Sequence, residues 1–245
     1  MAPSKSDIDA EMALLIKKLL EKKLVAVIGG GKYELFQKQF LANLRAPEKL
    51  LKNLFLFPTS ATSFYRYAKG KWREIYAEKL SGEEKSKIFE AFEKTFRKLN
   101  YSHPPKIYGE LIEDRGTQVT FSALGQKAPL YLKEKWKKEH TADKLKIAQT
   151  LQKYLPTLEV GAAGYTSIDV TRKGIDKEYG IRQIKKHLGI TFGEMLFVGD
   201  ALFPGGNDSA ALRTGVDCFE VSGPEDTKKL IKNLLNEKVA EVKAM

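Results

Sequence analysis

The residues best suited to do chemistry lie in one short stretch, Phe197-Val198-Gly199-Asp200-Ala201-Leu202-Phe203-Pro204-Gly205-Gly206-Asn207-Asp208. An apolar strand here would deliver Asp200 at its tip, and a Gly/Pro loop would bring Asn207 and Asp208 back toward it. Their oxygens are hard ligands, so Asp200, Asn207 and Asp208 form a candidate Mg2+ site. A lone Asp at a strand end is often only a turn residue or a helix cap. Two acidic residues and three glycines in one loop exceed what a turn requires. A second candidate is Lys177, which follows Asp176 at the start of an expected helix. A cation there opposes the helix dipole, which argues for a task at a site; the plain alternative is a solvated lysine. The third is the turn Gly29-Gly30-Gly31, whose backbone amides could cradle phosphate although the turn itself offers no hydroxyl. It is not a P-loop, because no Gly sits five residues before Gly31 and Tyr33 replaces the Ser or Thr. Nor is it a dinucleotide fingerprint, since Glu34 stands where the last Gly belongs.

The elements that must position these residues follow from hydrophobic periodicity. Apolar residues Met12, Leu14, Leu15, Leu19 and Leu20 recur at helical spacing over residues 9–23, after the capping candidates Ser6, Asp7 and Asp9. Residues 24–28 are a continuous apolar run ending at the glycine turn, as a buried parallel strand would be. Residues 33–44 read as a helix, 53–58 as a second buried strand and 65–76 as a hairpin turning at Lys69-Gly70-Lys71. From about residue 81 the character changes. Helices are expected over 83–100 and 133–154, with strands over 118–122 and within 158–170. The α/β pattern resumes with a helix at 177–188, a strand at 194–199, a short helix at 208–214, a strand at 216–221 and a helix at 224–241. The expectation is an α/β core with a mostly parallel sheet, residues 1–79 and 173–245, interrupted by an α+β module at 80–172. A site then falls at the carboxyl ends of the parallel strands, between core and insertion.

The 245 residues are 42% hydrophobic and 30% charged, an ordinary globular composition. No apolar run approaches the roughly 18 residues of a membrane span. There is no signal-peptide core at the start, and the single Cys218 excludes an internal disulfide framework. These features lead us to expect a cytoplasmic protein. The net charge of +11 raises nucleic-acid binding. The lysine-rich segment 131–153, however, also carries Glu134, Glu139 and Asp143, and mixed signs read as a solvated helix face. No nucleic-acid partner and no membrane are expected. His103, His140 and His187 lack metal-ligand spacing, and the aromatic residues of the 65–76 hairpin read as packing.

Taken together, the segments resemble the haloacid dehalogenase superfamily, and within it the sugar phosphatases and phosphomannomutases of subfamily IIB. The likeness lies in Arg115-Gly116-Thr117, in Ser167-Ile168-Asp169 with Gly174-Ile175-Asp176-Lys177, in Gly199-Asp200 with Pro204-Gly205-Gly206-Asn207-Asp208, and in Gly223-Pro224-Glu225-Asp226-Thr227. It implies a Rossmann-like core with a type C2b cap, and Mg2+-dependent phosphoryl transfer through an aspartyl-phosphate on a phosphorylated sugar. Lys177 matches the lysine that steadies the phosphoryl charge, Asp200 the acidic metal ligand, and Asn207 and Asp208 its support. Ser167 and Asp169 match residues that meet the sugar phosphate. Related mutases pair through their caps, so a homodimer is part of the implication.

The likeness has gaps. The family opens on an apolar strand and Asp-x-Asp-Gly-Thr about ten residues before its first helix, and only residues 1–8 precede that helix here. Asp7-Ile8-Asp9 imitates the spacing but reads as a helix start. A misassigned translation start is the expected explanation, with the chain inactive as it stands. After Gly29 and Gly30, where phosphomannomutases continue into Ser-Asp, this chain has Gly31-Lys32. The arginines that follow Arg-Gly-Thr in those mutases are not reproduced, and Lys127 and Arg172 are the nearest cationic substitutes. The alternative is a non-catalytic protein that binds a sugar phosphate in the same cleft.

Overall fold

Asp9 caps the first helix, α1 (Ala10–Lys22), its carboxylate accepting a hydrogen bond from the Met12 amide at 2.8 Å. The computed structural model describes residues 1, 6–204 and 206–236. After α1 come β1 (Val25–Ile28), a helical run in three pieces (Tyr33–Phe36, Gln37–Leu41 in π geometry, Ala42–Leu44) and β2 (Leu54–Phe57). A turn at Pro58–Ala61 leads into β3 (Ser63–Ala68), β4 (Lys71–Ala77) and α2 (Gly82–Lys98). Then follow β5 (Ile112–Asp114), β6 (Val119–Ser122), α3 (Leu130–Tyr154), β7 (Leu158–Ala163) and β8 (Ser167–Arg172). The chain closes with α4 (Lys177–Leu188), β9 (Leu196–Gly199), a 3-10 turn at Ser209–Thr214, β10 (Asp217–Glu220) and α5 (Pro224–Leu235). The last residues of the helix expected over 224–241 lie outside the described residues. No helix among those described is long and apolar enough to cross a membrane.

The chain divides into two units, Met1–Tyr76 with Asp176–Met245, and Ala77–Ile175. In the first, β1 pairs parallel with β2 and β9 parallel with β10, while β2 pairs antiparallel with β3. The parallel pairing expected from the apolar runs is present, but in two pieces. Among the described residues the sheets run β1-β2-β3-β4 and β10-β9, so β1 and β9 each end a sheet. Burial follows this arrangement. All of β2 is buried, whereas in β1 only Val27 is, and Leu196 of β9 is 37% exposed. A strand paired on both sides and covered on both faces hides its whole apolar run, and an edge strand does not.

The second unit is an antiparallel sheet in the order β5-β6-β8-β7, with α2 and α3 supplying its helical part. Period-2 alternation sends Val119, Phe121, Ile168 and Val170 into one apolar core with Phe92, Phe96, Ile147 and Leu151. Burying each such side chain contributes about 1.5–3 kcal/mol. Ser81 and Glu84 form a capping box that starts α2. The solvated face expected for residues 131–153 is only partly so, since Lys133 and Lys144 are buried. Their long aliphatic stems can lie along apolar surface, which charge counting does not register.

Lys228 ties α5 to α1. Its ammonium lies 2.8 Å from Asp9, 3.1 Å from Glu11 and 2.7 Å from Glu225, and Lys232 adds a 2.7 Å pair with Glu11. The hydrogen bond from Lys228 holds the Asp9 carboxyl below its ordinary range, and Lys232 followed by Lys228 does the same for Glu11. A carboxyl depressed on folding stabilises above its unfolded pKa and loses that contribution as pH falls through the folded value. Tm is therefore expected to be level from about pH 8 to about pH 5 and to fall below about pH 4. Lys228→Met should lower the plateau and flatten the acid limb; an acid limb unchanged in the variant would show that these carboxyls do not titrate with folding.

Candidate functional site

The apolar strand β9 carries the chain to Gly199, whose place admits no side chain. A Cβ there would sit 2.5 Å from Oδ2 of Asp208. Asp200 follows, exposed, and the loop folds back as the Gly206 amide donates to Phe203 O at 2.8 Å and the Asp208 amide to Ala201 O at 3.1 Å. Gly206 is required by close approach, since a Cβ would meet Ala201 O at 2.1 Å; Gly205 lies outside the described residues. Asp208 is thereby buried, and both its oxygens are engaged. Oδ2 accepts from the Asp200 amide at 3.1 Å, and Oδ1 lies 3.4 Å from Nζ of Lys177. The two side chains of the Lys177–Asp208 pair retain only 15% and 8% of their exposure. The cation that opposes the dipole of α4 is balanced by a carboxylate from the loop after β9.

Arg213 helps hold this junction. Asp176 caps α4, its Oδ1 accepting from the Tyr179 amide at 3.0 Å, while its other oxygen pairs with Arg213. The same guanidinium reaches Glu178 at 2.7 Å. The acidic neighbours of Lys177 are thus turned toward Arg213, leaving its ammonium to Asp208.

Among the described residues no group of three or more His, Cys, Asp and Glu side chains is arranged to hold a metal. The donor set still fits Mg2+, which commonly takes one or two carboxylates and fills its octahedron with water and phosphate oxygens. Asp200 is the exposed carboxylate, Asn207 an exposed amide, and Asp208 the buried support. The α-amino group of Met1 lies near Asp200. Burial lowers its pKa and the Asp200 charge opposes that shift.

The glycine turn is tied into the sheet at one end. Gly29 is not free to offer its amide to a ligand, because that N–H continues the ladder to Phe57 O at 3.2 Å. Gly29 and Gly31 are small for packing reasons as well, since added Cβ atoms would meet Phe36 at 3.0 Å and Leu35 at 2.6 Å. Gly30 is exposed at the crest of the turn. A hydroxyl-bearing segment that local sequence did not mark is bonded to this turn through its backbone. The Thr59 amide donates to Gly31 O and the Ser60 amide to Gly29 O, both at 2.9 Å. Thr59, Ser60 and Ala61 have φ of 49°, 59° and 70°, three successive left-handed residues without a glycine. Each costs about 1–2 kcal/mol in that region, and such runs persist only where the surroundings over-determine them. Here Thr59 Oγ1 contacts Thr62 Oγ1 at 2.5 Å, and Thr62 Oγ1 donates to Thr59 O at 2.9 Å. Ala61 packs so close to Gly180 that a Cβ on Gly180 would stand 2.9 Å from it.

The remaining candidates belong to the second unit. Opposite its apolar core, β6 and β8 present Thr120 against Asp169 and Ser122 against Ser167. All four are buried, and Thr120 donates to Asp169 at 2.8 Å. Gln118, fully buried, donates to Thr120 at 2.8 Å, and its Oε1 has no partner among the described residues. Lys127 is exposed. Arg172 does not present a free guanidinium, for it grips Glu84 at 3.2 and 3.3 Å and reaches Glu78 at 3.9 Å. Arg115 is similarly held by Glu113 at 2.8 Å and Gln126 at 3.0 Å. Sequence reading passed over Lys133, buried in α3, whose ammonium is pushed down in pKa by burial. A lysine among the apolar positions Leu132 and Trp136 was the available signal. The histidines pack, His187 against Phe64 and Tyr76, His103 against Phe96, and His140 against Trp136.

Residues 12–237 match the family described as eukaryotic phosphomannomutase. A phosphomannomutase of Encephalitozoon cuniculi is 27% identical over 240 residues, covering 96% of this chain and 90% of the relative. Two solved structures share the fold. One is a haloacid dehalogenase-like hydrolase from Bacteroides thetaiotaomicron, with TM-score 0.59, 11% identity and 95% of each chain covered. The other is the IMP-nucleotidase of Plasmodium falciparum, with TM-score 0.69 and 16% identity, where 99% of this chain spans 60% of a longer one. The fold is shared with that hydrolase structure, an α/β core with an inserted module, and, with the family match running from residue 12 to residue 237, this chain belongs to the eukaryotic phosphomannomutase family.

Proposed function

We propose that this chain binds a phosphorylated sugar in the presence of Mg2+ and carries the charge-neutralising part of an aspartyl-phosphate phosphotransferase. The observation that supports this most is the pairing of the half-buried Lys177 with the buried Asp208, whose carboxylate also holds the Asp200 amide. In this reading Lys177 binds a phosphoryl oxygen, Asp208 orients Lys177 and the Asp200 backbone, and Asp200 with Asn207 would hold the metal. Mg2+, when bound, neutralises phosphoryl charge that would otherwise repel an attacking carboxylate. Ser167 and Asp169 are assigned to the sugar, with Lys127 near it. The attacking aspartate is assigned to none of the described residues; Asp9 is committed to capping α1 and to Lys228.

The expected result is that this chain binds a hexose phosphate with Mg2+ but does not release phosphate. A chain extended at its N-terminus by an apolar strand and Asp-x-Asp should release it. Calorimetry on the first and a phosphate-release assay on the second decide the matter. Absence of binding together with absence of release would discard the reading. Binding by this chain, with no release even by the extended one, would favour the alternative of a non-catalytic sugar-phosphate binder.

A further inference from the structure

We propose that Ser60 is a phosphate-contacting residue, its hydroxyl serving a phosphoryl group beside the Gly29–Gly31 turn. The inference rests on the phosphoryl site proposed at Lys177. Three independent observations converge on this side chain. First, it stands in the middle of three consecutive non-glycine residues with positive φ, an arrangement that local sequence does not favour and that marks functional positions. Second, Ser60 is half-buried, its amide is spent on Gly29 O, and among the described residues its hydroxyl has no hydrogen-bond partner. The neighbouring hydroxyls of Thr59, Thr62 and Ser63 are by contrast joined to one another. Third, the left-handed turn is docked where a phosphoryl group would lie. Ala61 and Ile28, at the carboxyl end of β1, both close on Gly180. Gly180 is three residues after Lys177, hence on the same face of α4. The turn that carries this hydroxyl therefore packs against the end of a parallel strand and the helix whose start carries the cation. It supplies what the three glycines lack.

The test uses inorganic phosphate with Mg2+ as the probe, titrated calorimetrically into the wild-type chain, Lys177→Met, Ser60→Ala and Ser60→Gly. Both Ser60 variants remove the hydroxyl, but only Ser60→Gly also relieves the left-handed strain. The expected result is a phosphate affinity about tenfold weaker in both, as for loss of a hydrogen bond to a charged group. Tm should be unchanged in Ser60→Ala and raised in Ser60→Gly, so that binding and stability move separately. If the wild type binds, Lys177→Met does not, and both Ser60 variants bind like the wild type, Ser60 has no such role while the Lys177 site stands. If the wild type does not bind phosphate at all, the Lys177 reading falls and this inference with it.

Discussion

Lys177→Met is expected to weaken phosphate binding about a hundredfold in the presence of Mg2+, the largest effect of any single substitution here. The cation is held in a poorly solvated position by one carboxylate, with Lys177 and Asp208 side chains at 15% and 8% exposure. In such surroundings a charge acts on a bound anion with little screening. The variant also leaves Asp208 buried with the Asp200 amide as its remaining donor among the described residues, at a cost of about 1 to 3 kcal/mol. Calorimetry and urea unfolding measure the two effects separately. Loss of stability with phosphate affinity unchanged would reduce Lys177 to a structural partner of Asp208.

Gly199→Ala should be the most damaging change that adds a single methyl group. Its Cβ would stand 2.5 Å from Oδ2 and 2.9 Å from Cγ of Asp208, and 2.9 Å from the Phe197 ring. The Asp208 carboxylate is the group best able to move, and moving it breaks the contacts to the Asp200 amide and to Lys177 together. Overpacking and the lost buried hydrogen bond amount to about 3 kcal/mol. A double-mutant cycle tests the cause. In an Asp208→Ala background Gly199→Ala should cost much less, because its nearest collision is gone and only the 2.9 Å approach to the Phe197 ring remains. An undiminished cost in that background would place the clash elsewhere, with Phe197.

Much of this was legible in the residues themselves. Apolar runs located β1, β2 and β9, because a buried strand needs an unbroken hydrophobic segment. Asp9, Ser81 and Asp176 marked helix starts by the physics of unpaired amides. The Gly199–Asp208 segment carried enough glycine and acid to exceed a turn, and a lysine against the dipole of α4 pointed to Lys177.

What stayed hidden depends on partners distant in sequence. Arg172 read as a cationic substitute for the missing arginines, yet its partner Glu84 lies 88 residues away. Lys133 and Lys144 read as solvated, although their burial is set by packing in the folded unit. The left-handed turn at Thr59, Ser60 and Ala61 has no glycine to announce it; the carbonyls of Gly29 and Gly31, about thirty residues earlier, hold it in place. By itself, then, the sequence determined element type, helix caps and the residues of the β9 loop, because these follow from periodicity and local hydrogen bonding. Only the tertiary structure decided that, among the described residues, β1 and β9 end separate sheets, that Asp208 meets Lys177, and that Ser60 stands beside the glycine turn. Those outcomes are set by which surfaces exclude water together and which backbone groups find distant partners, and local preference carries neither.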